Sequence, residues 1–475
     1  MRKLFLTLLF LCVLSCGFAQ ENLPTDYLTK EFHMGRRDAF RSLMPANSVA
    51  VIFSYPERNF SNDVSYIYHP NPDMYYLTGY KEPNAVLLIF KETQGTGSSS
   101  YYNEVIFIRE RNAAREIWTG RRLGVEGTKT QLGFTTVYNG SEFKNFPIDF
   151  KKFDKIIYDK IPTDIRDDAT GFDIFGLLKT FKEKNTSTTT DADIALFQEI
   201  TKSLREIKTP EELVLMRKSV KLSCIAHNEV MKAISPAMSE NEIDGMHHYI
   251  HRKYGAEDEG YPAIVGAGAN GCILHYEENN NTKIDNQLLL MDVGSEYHGY
   301  SADVTRTVPA NGKFTAEQKA IYQLVYDAQE EVFKICKEGT PFSDLQKKTK
   351  EVLVKGLINL GIIKEESELR TYYPHGCSHF LGLDVHDKGH GGAGLLKTNM
   401  VITVEPGIYI PANSKCDKKW WNIGVRIEDD IVIQKDSFEN LSAESPRKWE
   451  DIEKLAAKKS KFNEMDLPKL EVNKN

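Results

Sequence analysis

Four carboxylates and three imidazoles near the C-terminal end carry the chemistry of this chain. Asp292 and Asp303 lie in LLLMDVGSEYHGYSADVTRT, Glu405 in VITVEPGIYI and Glu428 in VRIEDDIVI. Each stands inside or beside an apolar, β-branched run that reads as a strand. Bare carboxylates are almost never buried in such places unpaired. Between the two acidic clusters runs YPHGCSHFLGLDVHD, with His375, His379 and His386. Four negative charges are cancelled by two divalent cations, and one imidazole, His379, completes a donor set that is otherwise oxygen. Two cations roughly 3.5–4 Å apart share a hydroxide and polarise a carbonyl. The pattern predicts a two-metal hydrolase.

The elements around these residues have to bring distant positions to one centre. A single helix would hold Asp292 and Asp303 about 16 Å apart, so the two are expected on opposite arms of a hairpin joined by GSEYHGYS. Helices are expected around it. TPEELVLMRKSVKLSCIAHNEVMKAI starts with Thr209 as cap, Pro210 in the first turn and Glu211 and Glu212 at the positive end. KFTAEQKAIYQLVYDAQEEVFKICKEG starts with Phe314, Thr315 and Gln318 as staple and capping box, and is expected to run to Gly339. PFSDLQKKTKEVLVKGLINLG follows. In SENEIDGMHHYIHRKYG only His247 and His251 share a helix face. The acid that a zinc helix motif requires is missing, so its three histidines are read as surface residues. The glycines of GAGANG precede ILHY rather than a helix, and no phosphate loop is present, so nucleotide binding is excluded.

The run HGCSHFLGLDVHD resembles the proline-peptidase signature of the Xaa-Pro aminopeptidase (aminopeptidase P) branch of the pita-bread metallopeptidases. Cys377 stands where an aliphatic residue or threonine is usual. MYYLTGYKEPNAVLLIF and REIWTGRRLG are similar to that family's N-terminal domain. The resemblance spans nearly the whole chain after the leader, and it implies an α/β N-terminal domain followed by an α+β pita-bread domain with a curved, mostly antiparallel sheet. It also implies five metal ligands, Asp292, Asp303, His379, Glu405 and Glu428, for two divalent ions, with Mn²⁺ favoured and Co²⁺ or Zn²⁺ as alternatives. Glu405 corresponds to the acid/base glutamate, and His386 to the donor to the developing oxyanion. His275 corresponds to a substrate-side histidine 17 residues before Asp292. His375 and Arg426 match residues around the proline pocket and the downstream chain, and Tyr409 closes the same wall. Tyr261 is a candidate for the pocket of the N-terminal residue. Trp118 matches a tryptophan that approaches a neighbouring subunit's site, so a dimer or tetramer is implied. The substrates implied are proline-containing peptides. A prolidase restricted to Xaa-Pro dipeptides shares these ligands. A metal-free binding module on the same fold is disfavoured because all five positions are filled.

The rest of the chain sets bounds. Its 475 residues, 41% apolar and 27% charged, suffice for two sizeable globular domains. The net charge of -7 makes nucleic acid a poor partner. Residues 1–20 read as an export signal, with Arg2 and Lys3 before a short apolar run, and no later segment could span a membrane. Gly17-Phe18-Ala19 allows cleavage before Gln20, whereas Val13-Leu14-Ser15-Cys16 resembles a lipobox with Cys16 as anchor. The product is then periplasmic or secreted, or a membrane-anchored lipoprotein. Five further cysteines, Cys224, Cys272, Cys336, Cys377 and Cys416, form no disulfide framework or zinc knuckle. The expected domains are 24–190 and 205–440, with the boundary between Lys184 and Pro210, and 441–475 as a short helix and tail. In the first domain an opening helix (32–44) precedes strands SVAVIFSY, AVLLIF, EVIFIR and KIIYD, with 93–103 a solvent loop and 182–193 a polar linker.

Overall fold

The computed structural model describes residues 24–95, 101–160, 165, 167, 171–185, 193–392, 394–465 and 467–468. The expected leader with Cys16, residues 96–100 of the loop, 186–192 of the linker and the end of the tail lie outside them.

The N-terminal half forms the expected α/β layer. Helix α1 (Lys30–Leu43) is capped by the Thr29 side chain. There follow β1 (Ser48–Phe53), the small hairpin β2 (Asn59–Ser61) and β3 (Val64–Ser65), α2 (Pro72–Thr78), β4 (Val86–Gln94) and β5 (Tyr102–Ile108). Next come α3 (Ala113–Thr119), α4 (Gly124–Leu132), β6 (Val137–Asn139), β7 (Lys155–Ile157), α5 (Ile174–Lys184) and α6 (Ile194–Arg205). One five-stranded sheet runs in the order β6-β5-β4-β1-β7, antiparallel at its centre and parallel at both edges. Its strands are apolar on both faces because both are covered. Ala50, Ile52, Leu87, Ile89 and Ile106 face the core that holds Phe40 of α1. Val49, Val51, Leu88, Val105 and Phe107 face a second core with Phe143, Phe150 and Phe181.

The C-terminal half is built from short antiparallel sheets under helices. Helix α7 (Pro210–Ala233) starts with the capping box of Thr209 and Glu212, and α8 (Glu240–Lys253) packs on it. The strands β8 (Asp258–Glu259), β9 (Ile264–Ala267), β10 (Leu288–Asp292), β11 (Ser295–Tyr297), β12 (Tyr300–Ser301) and β13 (Thr305–Pro309) precede α9 (Ala316–Phe333) and α10 (Phe342–Asn359). Then come β14 (Val401–Val404), β15 (Gly407–Ile410), β16 (Ile423–Arg426), β17 (Asp429–Ile433), β18 (Phe438–Asn440) and α11 (Trp449–Ala456). The sheets are β13-β10-β9, β12-β11-β8, β14-β17-β18 and β15-β16, and every pairing in them is antiparallel. The hydrophobic core under α1 continues into this half through Tyr300, Leu381, Val401 and Val432, so the two halves share buried surface.

Two expectations are corrected. Helix α9 stops at Phe333 rather than near Gly339. Beyond it the chain docks elsewhere, with the Glu338 N–H donating to Gln434 O and the Gly339 N–H to Leu396 O. His247 and His251 are not surface residues. With His227 of α7 they form a buried row, the rings of His227 and His247 being 4.8 Å apart and those of His247 and His251 6.4 Å apart. The helical period put His247 and His251 on one face but could not tell which way that face points. Only His248 is exposed.

Burial pushes His247 down to about 4, and burial together with the nearby His247 and His248 charges pushes His251 down to about 3. The unfolded chain binds these protons near pH 6.5. Their contribution to stability is therefore complete above pH 6.5 and is lost as pH falls from there towards 4. Denaturant midpoints measured between pH 7.5 and 4 should fall more steeply for the wild type than for the double variant His247→Leu/His251→Leu. Parallel curves would refute this assignment.

Candidate metal centre

The hairpin arms place the first two carboxylates. Asp292 is the last residue of β10 and is paired with Thr305, the first residue of β13. Asp303 emerges from the irregular residues just before β13, and its backbone N–H donates to Asp430 Oδ2 at 2.9 Å. Glu405 follows the end of β14, and its N–H donates to Cys377 O at 2.8 Å. Glu428 lies between β16 and β17. Its N–H bonds Thr305 O, and its Oε2 accepts the Thr305 hydroxyl at 2.6 Å. His379 reaches the group because its segment lies along β14, where Phe380 bridges Ile402 and the Thr403 N–H donates to His379 O.

These side chains converge. Asp303, His379 and Glu428 offer ligand atoms within 4.8 Å of one another. His379 Nε2 lies 3.3 Å from Asp303 Oδ2 and 3.6 Å from Glu405 Oε1. The His379 Nδ1–H donates to Phe380 O at 2.9 Å, which turns Nε2 towards the carboxylates. A backbone carbonyl in this role fixes the tautomer that a metal-binding imidazole needs. Tyr261 reaches Asp292 Oδ1 at 2.5 Å and Asp303 Oδ1 at 2.7 Å, with a single proton to share between them.

The electrostatics fit a bound cation pair. Burial drives the Asp292 carboxyl up to about 7, with Arg426 opposing and the Asp303 charge adding to the rise. Burial and the charges of Asp303, Glu405 and Asp292 hold Glu428 well above the usual carboxylate range. Burial opposes a charge on His379, but its bond to Asp303 and the Glu405 charge prevail and lift it to about 9. Burial opposes a charge on Asp303 too, but His379 and Tyr261 prevail and hold it below the usual carboxylate range, so two acids that resist ionising stand beside an aspartate–imidazole pair that keeps its charges. With four carboxylates and one imidazole, the donor set suits two hard or borderline divalent ions.

The other candidates surround this group to different degrees. His375 Nε2 is 2.9 Å from the Tyr409 hydroxyl, and its Nδ1 is 3.4 Å from Glu405 Oε2. His386 is exposed, with its ring 4.4 Å from that of His379. Partial desolvation, then the His379 charge, lowers its proton affinity, and the charge of exposed His275 acts in the same direction. Arg426 is 4% exposed and its donors point inward, Nη2 to Asp292 Oδ2 at 2.6 Å, Nη1 to the Tyr409 hydroxyl at 2.8 Å and Nε to Thr305 Oγ1 at 3.1 Å. This guanidinium therefore holds the Asp292 carboxylate rather than the Asp429 and Asp430 side chains close to it in sequence. Tyr261 likewise faces the ligand aspartates. Trp118 is not brought to the cluster within this chain. It is 87% exposed on α3, a helix with no buried residue. The five cysteines among the described residues are free, with Cys224, Cys336 and Cys377 buried and their thiols raised by burial, as inert core residues.

Sequence reasoning missed Thr305 and Asp430, which hold Glu428 and Asp303. Thr305 stands two places after Asp303, on the same side of the strand direction, and that spacing was the available signal. For Asp430 the sequence offers no signal, since its contact spans 127 positions.

Known proteins match this chain over most of its length. Residues 214–435 match the model of metallopeptidase family M24, and residues 33–157 match that of the aminopeptidase P N-terminal domain. The chain is 36% identical to the Xaa-Pro aminopeptidase of Escherichia coli K12 over 441 residues, 90% of this chain and 98% of that protein. It is 32% identical to human Xaa-Pro aminopeptidase 3, covering 87% of this chain and 82% of that one. Among solved structures, E. coli aminopeptidase P with the inhibitor Pro-Leu superimposes with a TM-score of 0.80 at 34% identity, over 90% of this chain and 98% of the other. Proline aminopeptidase P II of Yersinia pestis gives 0.80 at 35% identity, over 90% and 100%.

A divalent cation bound only by the folded centre must stabilise the fold. Metal-stripped protein given Mn²⁺ at about 100 times its dissociation constant should gain about 2.7 kcal/mol, seen as a rise in Tm by scanning fluorimetry. Asp303→Asn should lose most of that rise. A wild-type Tm indifferent to the metal would contradict the centre.

Proposed function

This chain belongs to metallopeptidase family M24 and is a metal-dependent exopeptidase of the aminopeptidase P type, and from that premise we propose that it removes the N-terminal residue of peptides whose second residue is proline. The observation that carries the reading is the meeting of four carboxylates and one imidazole, from four separate stretches of chain, in one largely buried place. An aminopeptidase P N-terminal domain in front of the catalytic half favours this over a dipeptide-restricted prolidase.

In this reading Asp292, Asp303, His379, Glu405 and Glu428 would hold two divalent cations, and Mn²⁺ would suit a site with one imidazole and otherwise oxygen donors. When bound, such a pair supplies an activated water and an electrophilic grip on the scissile carbonyl. Glu405 would accept a proton from the attacking water and pass it towards the leaving nitrogen. Proline makes this transfer necessary, because its nitrogen is a tertiary amide without N–H and leaves only when protonated. His386, next to His379 and partly open to solvent, donates to the oxygen on which negative charge develops. His275 supports the substrate from the exposed side. His375 and Tyr409 line the proline side, and Arg426 keeps Asp292 and Tyr409 in place.

The same reading includes export directed by residues 1–20, ending in a soluble product cut before Gln20 or a lipoprotein anchored at Cys16. It also includes a dimer or tetramer in which Trp118 approaches a neighbour's site. Exposed Ile117 beside exposed Trp118 supports a covered surface there. Among the described residues no helix is long and apolar enough to cross a membrane.

The decisive assay offers the Mn²⁺-loaded enzyme Ala-Pro and Arg-Pro-Pro-Gly-Phe side by side, with products identified by mass. Release of arginine from the longer peptide is expected. Cleavage of the dipeptide alone would make the protein a prolidase, and cleavage of neither by metal-loaded enzyme would end the proline-specific reading. His386→Ala should lower kcat on the order of 100-fold while leaving Mn²⁺ binding intact, measured by steady-state kinetics and calorimetry.

A further inference from the structure

The strand pair that presents Asp292 and Asp303 loses its regular ladder where the two carboxylates emerge. Strand β10 ends at Asp292 and β13 begins only at Thr305. The backbone of 302–304 is therefore held by other means. The Ala302 N–H donates to Ser295 O, the Val293 N–H to Val304 O, and the Asp303 N–H to Asp430 Oδ2.

The remaining support comes from helix α7. His227 is fully buried, and its Nε2 lies 2.9 Å from Val304 O and 3.2 Å from Val293 O. Val293 directly follows Asp292, and Val304 directly follows Asp303. A carbonyl oxygen only accepts, so Nε2 carries the proton and shares it between both arms. Nδ1 is then a bare lone pair and has no partner among the described residues. It belongs to a ring packed edge-on against that of His247. Leaving a buried nitrogen unpaired destabilises the fold, and a leucine would fill the space without it. Tying the two carbonyls together is what an imidazole does here and an apolar side chain would not.

We propose that His227 is a positioning residue of the metal centre: its Nε2–H, donated to the carbonyls beside Asp292 and Asp303, sets the separation of the two ligand carboxylates. It touches neither cation nor substrate and acts through the backbone. The inference rests on the metallopeptidase reading, since the separation matters only if these aspartates share metal.

The test compares the wild type with His227→Leu and with His227→Gln, whose side-chain N–H reaches about as far as Nε2. Mn²⁺ is titrated into each metal-stripped protein by calorimetry, and kcat and KM are measured on the loaded enzymes. His227→Leu should lose roughly 10-fold or more in Mn²⁺ affinity and show a reduced kcat with KM little changed. His227→Gln should recover most of both. His247→Leu removes a neighbouring buried imidazole that makes no bond to these strands, and should match the wild type in affinity. The proposal is overturned if His227→Leu binds Mn²⁺ and turns over like the wild type, or if His227→Gln is as impaired as His227→Leu. If His227→Leu does not fold, ¹⁵N-histidine spectra of the wild type decide. An Nε2–H tautomer with a slowly exchanging proton supports the proposal, and an Nδ1–H tautomer overturns it. A wild type that takes up no Mn²⁺ overturns the metallopeptidase reading and the proposal with it, whereas the other adverse results overturn the proposal alone.

Discussion

Four carboxylates drawn out of water into one place constrain everything around them. Each ionised group raises the cost of ionising the next, and burial removes the solvent that would screen them. The protein answers with groups aimed at particular oxygens. Arg426 neutralises one edge of Asp292, Tyr261 bridges Asp292 and Asp303, and the Thr305 hydroxyl takes Glu428 Oε2. These partners leave the inner face of the cluster, between Asp303, Glu405, Glu428 and His379, to be satisfied by cations.

Holding such a cluster needs a rigid surround, and much of it comes from the meeting of the two halves. Arg205, at the end of α6, donates to Asp73 of the N-terminal half and to Asp384 and Asp387 of the histidine segment. Lys208 also takes Asp387, and Lys388 takes Asp73. Asp387 directly follows His386, so this network fixes the segment that carries three of the four candidate site histidines, His375, His379 and His386. Its packing leaves no room at Gly382, where an added Cβ would lie 2.0 Å from Asp387 Oδ2. A shared hydrophobic core under Tyr300 and Leu381 completes the joint. Removing Arg205 would leave Asp387 to Lys208 alone and Asp73 to Lys388 alone, and would loosen the joint between the halves.

The N-terminal half thus has two faces towards function. One face is packed against the catalytic half and stabilises the histidine segment. The other carries α3, with Ile117 and Trp118 in solvent and arginines close by. A short helix with no buried residue is held by its caps and flanking ion pairs, such as Arg111 with Glu116, rather than by packing within the chain.

The sequence by itself determined the chemistry and most of the elements. Acids inside β-branched runs are legible because burying charge is costly enough to demand an explanation. The helix starts at Thr209 and Thr315 are legible because capping is a local exchange of hydrogen bonds. The strands β1, β4 and β5 are legible because their apolar, β-branched runs are bounded by turn residues. Tertiary structure alone decided where those elements face and what their ends meet. His247 and His251 share a helical face in any fold, but only the packing of α7 on α8 turned that face inward. The last turns of α9 were given up for hydrogen bonds to Gln434 and Leu396 that lie far away in the chain. Arg426 stands next to acids in sequence yet donates to Asp292, 134 residues away. Spacing along a chain fixes local geometry, whereas which distant groups become neighbours is settled by packing of the whole.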